Sequence, residues 1–174
     1  MRHPISLRFL IVFLCTITWL PSCKVNYTMN QFAGGINPDI KTVSVQFFPN
    51  YAPLAQPNLS QSFTEALRDI FLSQTSLRLV QQNGDIQLEG EITGYQTAPV
   101  AVQGDERAAL NRLTITVNVR YVNVKEEDKD FETAFSQFSD FDGSENLSDV
   151  EDQLIDQINQ QLAQDILNKS FGDW

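Results

Sequence analysis

Residue types that carry out catalysis are scarce in this 174-residue chain. His3 is its only histidine and lies at the extreme N-terminus, and Cys15 and Cys23 are its only cysteines. Nucleophilic triads and zinc sites need histidine or cysteine side chains that meet in a folded domain. The sequence therefore predicts a protein that is not an enzyme, with no catalytic residues, no metal and no cofactor, and leaves only carboxylate chemistry open.

Carboxylates are abundant, but their spacing fits no known site. Glu89 and Glu91 face the same way on a predicted strand, as a glycosidase pair would, yet with 22 acidic residues a chance pairing explains them better. Residues 140–145 (DFDGSE) resemble a calcium loop but lack the EF-hand glycine at position six and glutamate at position twelve. A solvated acidic turn is the simpler interpretation. Gly34-Gly35 lacks the Lys-Ser/Thr that completes a phosphate loop.

Two arginines are candidates for binding an anionic ligand. Arg107 and Arg112 bracket the start of the longest predicted strand and could bind phosphate, although ordinary solvated arginines would look the same. Residues 23–124 carry a net charge of −1 and residues 125–174 a net charge of −11. Nucleic-acid binders present a basic surface. The charge distribution therefore predicts no nucleic-acid partner, and it confines any anion site to the N-terminal two-thirds.

The N-terminus has the features of an export signal. Arg2 and Arg8 precede the twelve-residue apolar run 9–20, which is too short for the roughly 20 residues of a membrane-spanning helix. The run ends in residues 20–23 (LPSC), which resemble a bacterial lipobox. This motif predicts that residues 1–22 are a cleaved signal peptide and that Cys23 is lipidated with acyl chains such as palmitate. More than one chain makes the anchoring stable. An ordinary cleaved signal with an incidental cysteine is the alternative.

Residues 23–40 have no sustained period and are predicted to be a lipidated tether, followed by one domain over residues 41–174. Alternating apolar residues predict strands over 41–48, 76–81, 85–97 and 110–124. Apolar residues at three- and four-residue steps predict one helix from Asn58 to near Gln74 and another from Ser148 to near Lys169. Residues 131–141 fit either a helix or a strand, and the compact charged turn before them favours a returning strand, bulged near Gln137.

Local signals add detail to these elements. Phe47 is predicted to face inward with Val43 and Val45, and Leu79 to face inward with Leu77. Asn83-Gly84 is the favoured pair for a type I′ turn and predicts a tight connection between the flanking strands. Gly90 and Gly94 predict a bulge or a close contact above the third strand. Residues 148–151 (SDVE) predict a capping box at the start of the last helix.

Together these elements predict an α+β fold. The first strand–helix–strand unit implies a right-handed parallel crossover, and the remaining strands look antiparallel. Each helix has one apolar stripe, and each strand one apolar face. The prediction is a two-layer sandwich with two helices packed on one face of a single mixed four- or five-stranded sheet. The other face is left polar and uncovered, and it comprises Gln87, Glu89, Glu91, Thr93, Thr114, Thr116, Asn118 and Arg120.

Four segments in this order resemble the LptE family of lipopolysaccharide-assembly lipoproteins. They are residues 57–73 (PNLSQSFTEALRDIFLS), 90–95 (GEITGY), 108–119 (AALNRLTITVNV) and 147–158 (LSDVEDQLIDQI), behind the lipobox. The resemblance spans residues 41–174 and implies two helices on a four- or five-stranded sheet. It further implies a lipid-anchored protein of the outer membrane of a Gram-negative bacterium. Such a protein forms a heterodimer with the large barrel LptD, plugs it, helps assemble it and assists lipopolysaccharide delivery to the outer leaflet.

Two other functions remain open from the residues. One is a lipid-tethered periplasmic ligand-binding or transport-auxiliary lipoprotein, which a deep apolar pocket between helices and sheet would favour. The other is a lipid-anchored hydrolase, which a cleft with paired acids of raised pKa would favour. Direct contact with lipopolysaccharide is possible in the family-based interpretation, and Arg107 and Arg112 are its candidate contacts.

Overall fold

The computed structural model of the protein describes residues 36–100 and 110–172. The predicted signal peptide, Cys23, the diglycine Gly34-Gly35 and Arg107 lie outside these residues. The described elements are β1 (Thr42–Val45), α1 (Leu59–Gln74), β2 (Arg78–Val80), β3 (Ile86–Val100), β4 (Leu110–Asn123), a 3-10 turn (Glu127–Lys129), β5 (Phe131–Asp142) and α2 (Leu147–Phe171).

The strands form one mixed sheet in the order β2-β1-β3-β4-β5. β1 is parallel to both β2 and β3, while β3, β4 and β5 form an antiparallel meander. Both helices pack on the same face of this sheet, so the predicted two-layer α+β sandwich is confirmed with five strands. The parallel β1–α1–β2 unit is also confirmed. The expectation that all remaining pairs are antiparallel is wrong for β1 and β3.

The core lies between the helices and the inward face of the sheet. Every second residue of β4 from Leu113 to Tyr121 is buried, as the alternation predicts. α1 contributes Leu59, Phe63, Leu67 and Phe71, and α2 contributes pairs such as Ile158 and Leu162. Ile40 is 5% exposed, so the core already includes the residues just before β1. Neither helix of the described residues has an apolar stretch that could cross a membrane.

Residues 81–85 do not form the tight connection between paired strands predicted for Asn83-Gly84. β1 lies between β2 and β3, so this loop crosses over β1 on the side away from the helices. A Cβ atom on Gly84 would lie 2.6 Å from the Ser44 nitrogen, so only glycine fits. The Gly84 N–H donates to Ser44 Oγ, and Asp85 accepts from the N–H and Oγ1 of Thr42 at 3.0 and 2.8 Å. The loop therefore covers β1 on this side.

Two predicted inward residues point outward. Phe47 is 58% exposed because β1 ends at Val45 and the chain then turns Phe48 into the core instead. Leu79 is 40% exposed because β2 is only three residues long and lies at the sheet edge, where Leu77 alone reaches the core. In both cases a short strand end departs from strict alternation.

The ambiguity of residues 131–141 is resolved in favour of a strand. β5 pairs with β4 from Leu110↔Asp142 to Tyr121↔Phe131 without a register shift, so the bulge predicted near Gln137 is wrong. The sheet's bulge lies instead between Ile92 and Gly94 on β3, as one reading of its glycines predicts.

The predicted capping box at residues 148–151 is also wrong. α2 begins after Asn146, so Ser148 lies inside its first turn and makes no capping bond. The Glu151 carboxylate instead accepts a hydrogen bond from the Tyr95 hydroxyl of β3. The side chain that the sequence assigned to the end of the helix thus joins the helix to the sheet.

Candidate binding surface

One face of the sheet carries no helix of the described residues, and we call it the open face. It is formed by the outward side chains of β3, β4 and β5 in register across the three strands. Its principal members are Gln87, Glu89, Glu91, Arg112, Thr114, Thr116, Asn118, Arg120, Glu132, Ser136, Phe138 and Asp140. The predicted polar, uncovered face is therefore present, and the unbulged β5 extends it by a further strand.

Arg112 occupies one end of the open face and is held by two residues of β5. Its Nε and Nη2 donate to the two carboxylate oxygens of Asp140 at 2.7 and 2.9 Å. Its guanidinium also stacks on Phe138, 3.6 Å from the ring centroid. Such a bidentate pair fixes both side chains. Hydrogen bonds from Arg112 hold the pKa of Asp140 below its usual value.

The centre of the open face is a ladder of cross-strand polar contacts. Arg120 Nη1 donates to Glu89 Oε1 at 2.9 Å, and the hydroxyls of Thr116 and Ser136 lie 3.0 Å apart. Beside this ladder is a shallow depression of about 510 Å³. It is lined by Gln46, Phe47, Glu89, Gly90, Glu91, Asn118, Arg120 and Glu132. The exposed Phe47 ring is thus an apolar group at the rim of a polar surface.

The open face is acidic overall. Of its charged members named above, only Arg112 and Arg120 are basic, and each already contacts a carboxylate. A phosphate group that binds Arg112 must therefore displace Asp140 or share the guanidinium with it. Because the pair is about one-third exposed, this exchange is sterically possible. Arg107 and Cys23 lie outside the described residues.

The acidic motifs singled out in the sequence make hydrogen bonds and ion pairs in the structure. Glu89 forms an exposed ion pair with Arg120. In the turn after β5, Asp142 accepts bonds from the Ser144 backbone and hydroxyl, which lower its pKa. Nowhere in residues 36–100 and 110–172 do three histidine, cysteine, aspartate or glutamate side chains converge as a metal site would require.

A hydrolase would have paired acids of raised pKa, and a ligand-binding lipoprotein would have a deep apolar pocket between helices and sheet. Each carboxyl group of the described residues whose pKa is displaced has a lowered pKa, unlike the raised pKa of a catalytic acid. A cavity of about 530 Å³ lies at the end of the sheet, between the C-terminal end of α2 and the turn that precedes β5. Its lining mixes charged residues such as Glu126 and Lys129 with apolar ones such as Phe131 and Phe171.

Sequence reasoning missed Phe138 and Asp140 as partners of Arg112. The missing information was the register of β5, because a helix or a bulged strand would place both residues elsewhere. With an unbroken strand, the alternation puts Glu132, Ser136, Phe138 and Asp140 on the open face.

Fold and surface together define a two-layer α+β domain with one sheet face left uncovered. The family model LptE, described as lipopolysaccharide-assembly, matches residues 40–170. The chain therefore belongs to the LptE family, and it is a lipopolysaccharide-assembly protein of the bacterial envelope.

Solved structures of low sequence identity are similar to the chain. A hypothetical protein from Chlamydia trachomatis is 16% identical with a TM-score of 0.51, and the match covers 76% of this chain and 96% of that one. The rare lipoprotein B from Shewanella oneidensis is 15% identical, with coverage of 74% and 92% and a TM-score of 0.46. A minor lipoprotein from Acinetobacter baumannii is 14% identical, with coverage of 76% and 94% and a TM-score of 0.44. No curated protein matches the chain.

Proposed function

We propose that this chain is the lipoprotein partner of the outer-membrane barrel LptD, which it plugs and helps to assemble, and that it acts without catalysis. Family membership over residues 40–170 supports the lipopolysaccharide-assembly role. Lipidation of Cys23 would hold the domain at the outer membrane. Assistance in lipopolysaccharide delivery to the outer leaflet then follows from its place inside the barrel.

The open face is the observation that carries this proposal. The lumen of a large outer-membrane barrel is polar, so a plug needs a large surface of hydrogen-bonding and charged groups. The open face offers hydroxyls, amides and ion pairs along three long strands, and it is not needed to cover this protein's own core. Amides of α2, most of them exposed, add to this polar surface, and they comprise Gln153, Gln157, Gln160, Gln161 and Gln164.

Recovery of the barrel with a tagged full-length chain tests the proposal. Affinity purification from gently solubilised membranes should yield one large barrel protein at near-equal stoichiometry. Thr116→Arg, at the centre of the open face, should lower this recovery severalfold. Gln61→Arg adds the same charge on the exposed side of α1 and should leave recovery unchanged. Both variants should keep the melting temperature of the parent, which separates loss of binding from loss of folding.

Depletion of the lipoprotein provides the cellular counterpart. It should reduce the amount of correctly assembled barrel and of lipopolysaccharide at the cell surface. A lipoprotein that is purified without a barrel, and whose depletion leaves the envelope intact, contradicts the proposal and supports the transport-auxiliary function.

Mass spectrometry tests the proposed lipid anchor at Cys23. Intact-mass analysis of the protein extracted from membranes should show a mature N-terminus at Cys23 that carries acyl chains. A mature N-terminus elsewhere, or an unmodified Cys23, contradicts the proposed lipidation.

We further propose that Arg107 and Arg112 contact the phosphates of lipopolysaccharide. Arg107→Ala and Arg112→Ala should each weaken binding of purified lipopolysaccharide to the full chain. Arg120→Ala is the matched control, because Arg120 lies on the same face and is likewise paired with a carboxylate. Equal losses for all three variants would show a general effect of charge, and the two residues would then not be specific contacts.

A further inference from the structure

The outer edge of β5 is a long row of backbone groups without a partner strand. β5 uses one side to pair with β4 over all twelve of its residues. Among the described residues, no strand pairs with its other side, because β5 is the last strand in the sheet order. An exposed edge presents N–H and C=O groups that can bind a further strand.

The middle of this edge lacks the usual protection against pairing. Residues 133–139 (TAFSQFS) contain no charged residue, proline or glycine, and the strand has no bulge there. Natural edge strands are commonly shortened, bulged or charged to prevent pairing. The opposite edge follows that rule, because β2 has only three residues and begins with the exposed Arg78. The two edges of the sheet therefore differ in their readiness to accept a strand.

A groove runs beside the β5 edge on the helix side. α2 lies along β5 and is joined to it by Gln137 Nε2, which donates to Asp165 Oδ2 at 2.5 Å, and by Ser139 Oγ, which donates to Gln157 Oε1 at 2.9 Å. The groove has a volume of about 370 Å³ and is lined by Gln137, Gln157, Gln160, Gln161, Gln164 and Asp165. Side chains of a strand added to β5 would reach these amides, which can both donate and accept hydrogen bonds.

Acidic residues flank the uncharged centre of β5 and restrict its partners. Glu132 lies at one end, and Asp140 and Asp142 lie at the other. If two copies paired antiparallel about Ser136, Glu132 of each copy would lie opposite Asp140 of the other. Like charges directly opposite each other destabilise a strand pair. Arg112 already pairs with Asp140 and weakens the repulsion at that end. Glu132 and Asp142 still disfavour a second copy and favour a segment with basic residues at its ends.

We propose that the outer edge of β5, together with the glutamine-lined groove, binds an extended segment of a partner protein by strand addition. The segment has uncharged polar or β-branched residues at its centre and a lysine or arginine near each end. Backbone hydrogen bonds supply affinity, and the groove and flanking acids supply specificity. The inference goes beyond the proposed function, because it assigns a strand partner to the backbone edge of β5, although Glu132 and Asp140 also belong to the open face.

Binding of short peptides to the full-length chain in detergent tests this inference. The probe is a labelled nine-residue peptide of alternating threonine and glutamine with a lysine at each end. Hydrogen exchange of the chain should slow at alternate amides of residues 133–139 when the peptide is added. A peptide with glutamate at each end should bind at least about tenfold more weakly, because its charges oppose Glu132 and Asp140. A peptide methylated at alternate backbone nitrogens should lose binding.

A matched pair of variants locates the binding site. Glu132→Lys, at the edge, should weaken binding of the lysine-ended peptide, whereas Glu65→Lys makes the same charge change on the exposed side of α1 and should not. If Glu132→Lys does not fold, Ser136→Lys replaces it, because a lysine at the centre of an edge strand also opposes pairing.

Three results would overturn the inference. The first is an absence of protection at residues 133–139 with either peptide. The second is equal affinity of the two end-charged peptides. The third is full protection of these amides before any peptide is added, which would show that another segment of the same chain already occupies the edge. None of these experiments includes a barrel protein, so their failure leaves the proposed function to its own test.

Discussion

On β4, Ile115 and Val117 are fully buried beneath the helices, whereas Thr114 and Thr116 alternate with them and line the open face. α1 and α2 cover the inner face of the sheet and pack against its residues. No element in the described part of the chain covers the open face. Its residues contact one another across strands through hydroxyls and ion pairs.

Within a single strand, the inward residues therefore stabilise the fold, and the outward residues are available for binding. Burial of apolar area stabilises a fold by about 25 cal/mol per Å², whereas exposed ion pairs contribute about 1 kcal/mol or less. The inner face therefore holds the domain together. The open face can change its charge and hydrogen-bonding groups with little effect on folding, and this freedom suits a surface that must match a partner.

The largest expected difference is between a carboxylate placed on the inner face of β4 and the same group placed on its open face. Val117→Asp buries an unpaired carboxylate and should lower the free energy of unfolding by about 4 kcal/mol or more. Thr116→Asp should change it by about 1 kcal/mol at most, because its side chain reaches solvent. Urea titration of both variants measures the contrast. Equal midpoints would show that the two faces do not differ in the way described.

A second contrast uses two glycines of β3. A Cβ atom on Gly90 would lie 2.0 Å from the Asn118 carbonyl oxygen and 2.7 Å from the Phe48 ring. Gly90→Ala should therefore cost about 3 kcal/mol of stability. On Gly94 a Cβ would meet only the Thr116 side chain, at 3.0 Å and beyond, so Gly94→Ala should cost less than about 1 kcal/mol. Thermal unfolding would distinguish them, and a larger loss for Gly94→Ala would contradict the assignment.

A third prediction concerns pH and Asp85. Hydrogen bonds from the Lys41 N–H and from Thr42 lower the pKa of Asp85 below its ordinary 3.8. A lowered folded-state pKa gives stability that is complete above 3.8 and is lost as the pH falls through the folded value. Asp85→Asn should therefore cost about 1 kcal/mol near neutral pH, and this difference should shrink below pH 3.8. An unfolding difference that stays constant from pH 6 to pH 3 would refute the linkage.

The smallest effect is expected for the exposed pair Glu89–Arg120. A double-mutant cycle with Glu89→Gln and Arg120→Gln should give a coupling of about 0.2–1 kcal/mol, reduced further by salt. A coupling of several kcal/mol would show that the open face contributes to folding as the inner face does.

The sequence predicted the layers because burial imposes a strong periodicity. The alternation of β4 and the three- and four-residue steps of α1 were sufficient for the fold class, and the polar face followed from the same alternation. The ends of short strands were harder, since Phe47 and Leu79 lie where only a few residues define the period. The position of β1 between β2 and β3 could not be predicted from the sequence. Asn83-Gly84 indicates a turn, but it does not show whether the two flanking strands are neighbours in the sheet.

The candidate surface was predicted as a face but not as a set of contacts. Contacts such as Arg112 with Asp140 depend on cross-strand register, and register depended on whether β5 was bulged. The Tyr95–Glu151 bond joins two elements 56 residues apart, and a local capping motif masked it. Long-range pairing of polar side chains leaves no periodic signal in a single sequence.

The loop that crosses β1 also has a mechanical consequence. β1 is hydrogen-bonded to a parallel strand on each side, and Gly84 rests against its backbone. It is the first strand among the described residues, so tension applied from the N-terminal side along the strand axis acts on β1 first. Tension along the strand axis acts on the backbone hydrogen bonds to β2 and to β3 at the same time, in shear. It does not break these bonds one after another. A domain held by its N-terminus while a partner holds the opposite end of the sheet would therefore resist extraction through both of these ladders at once.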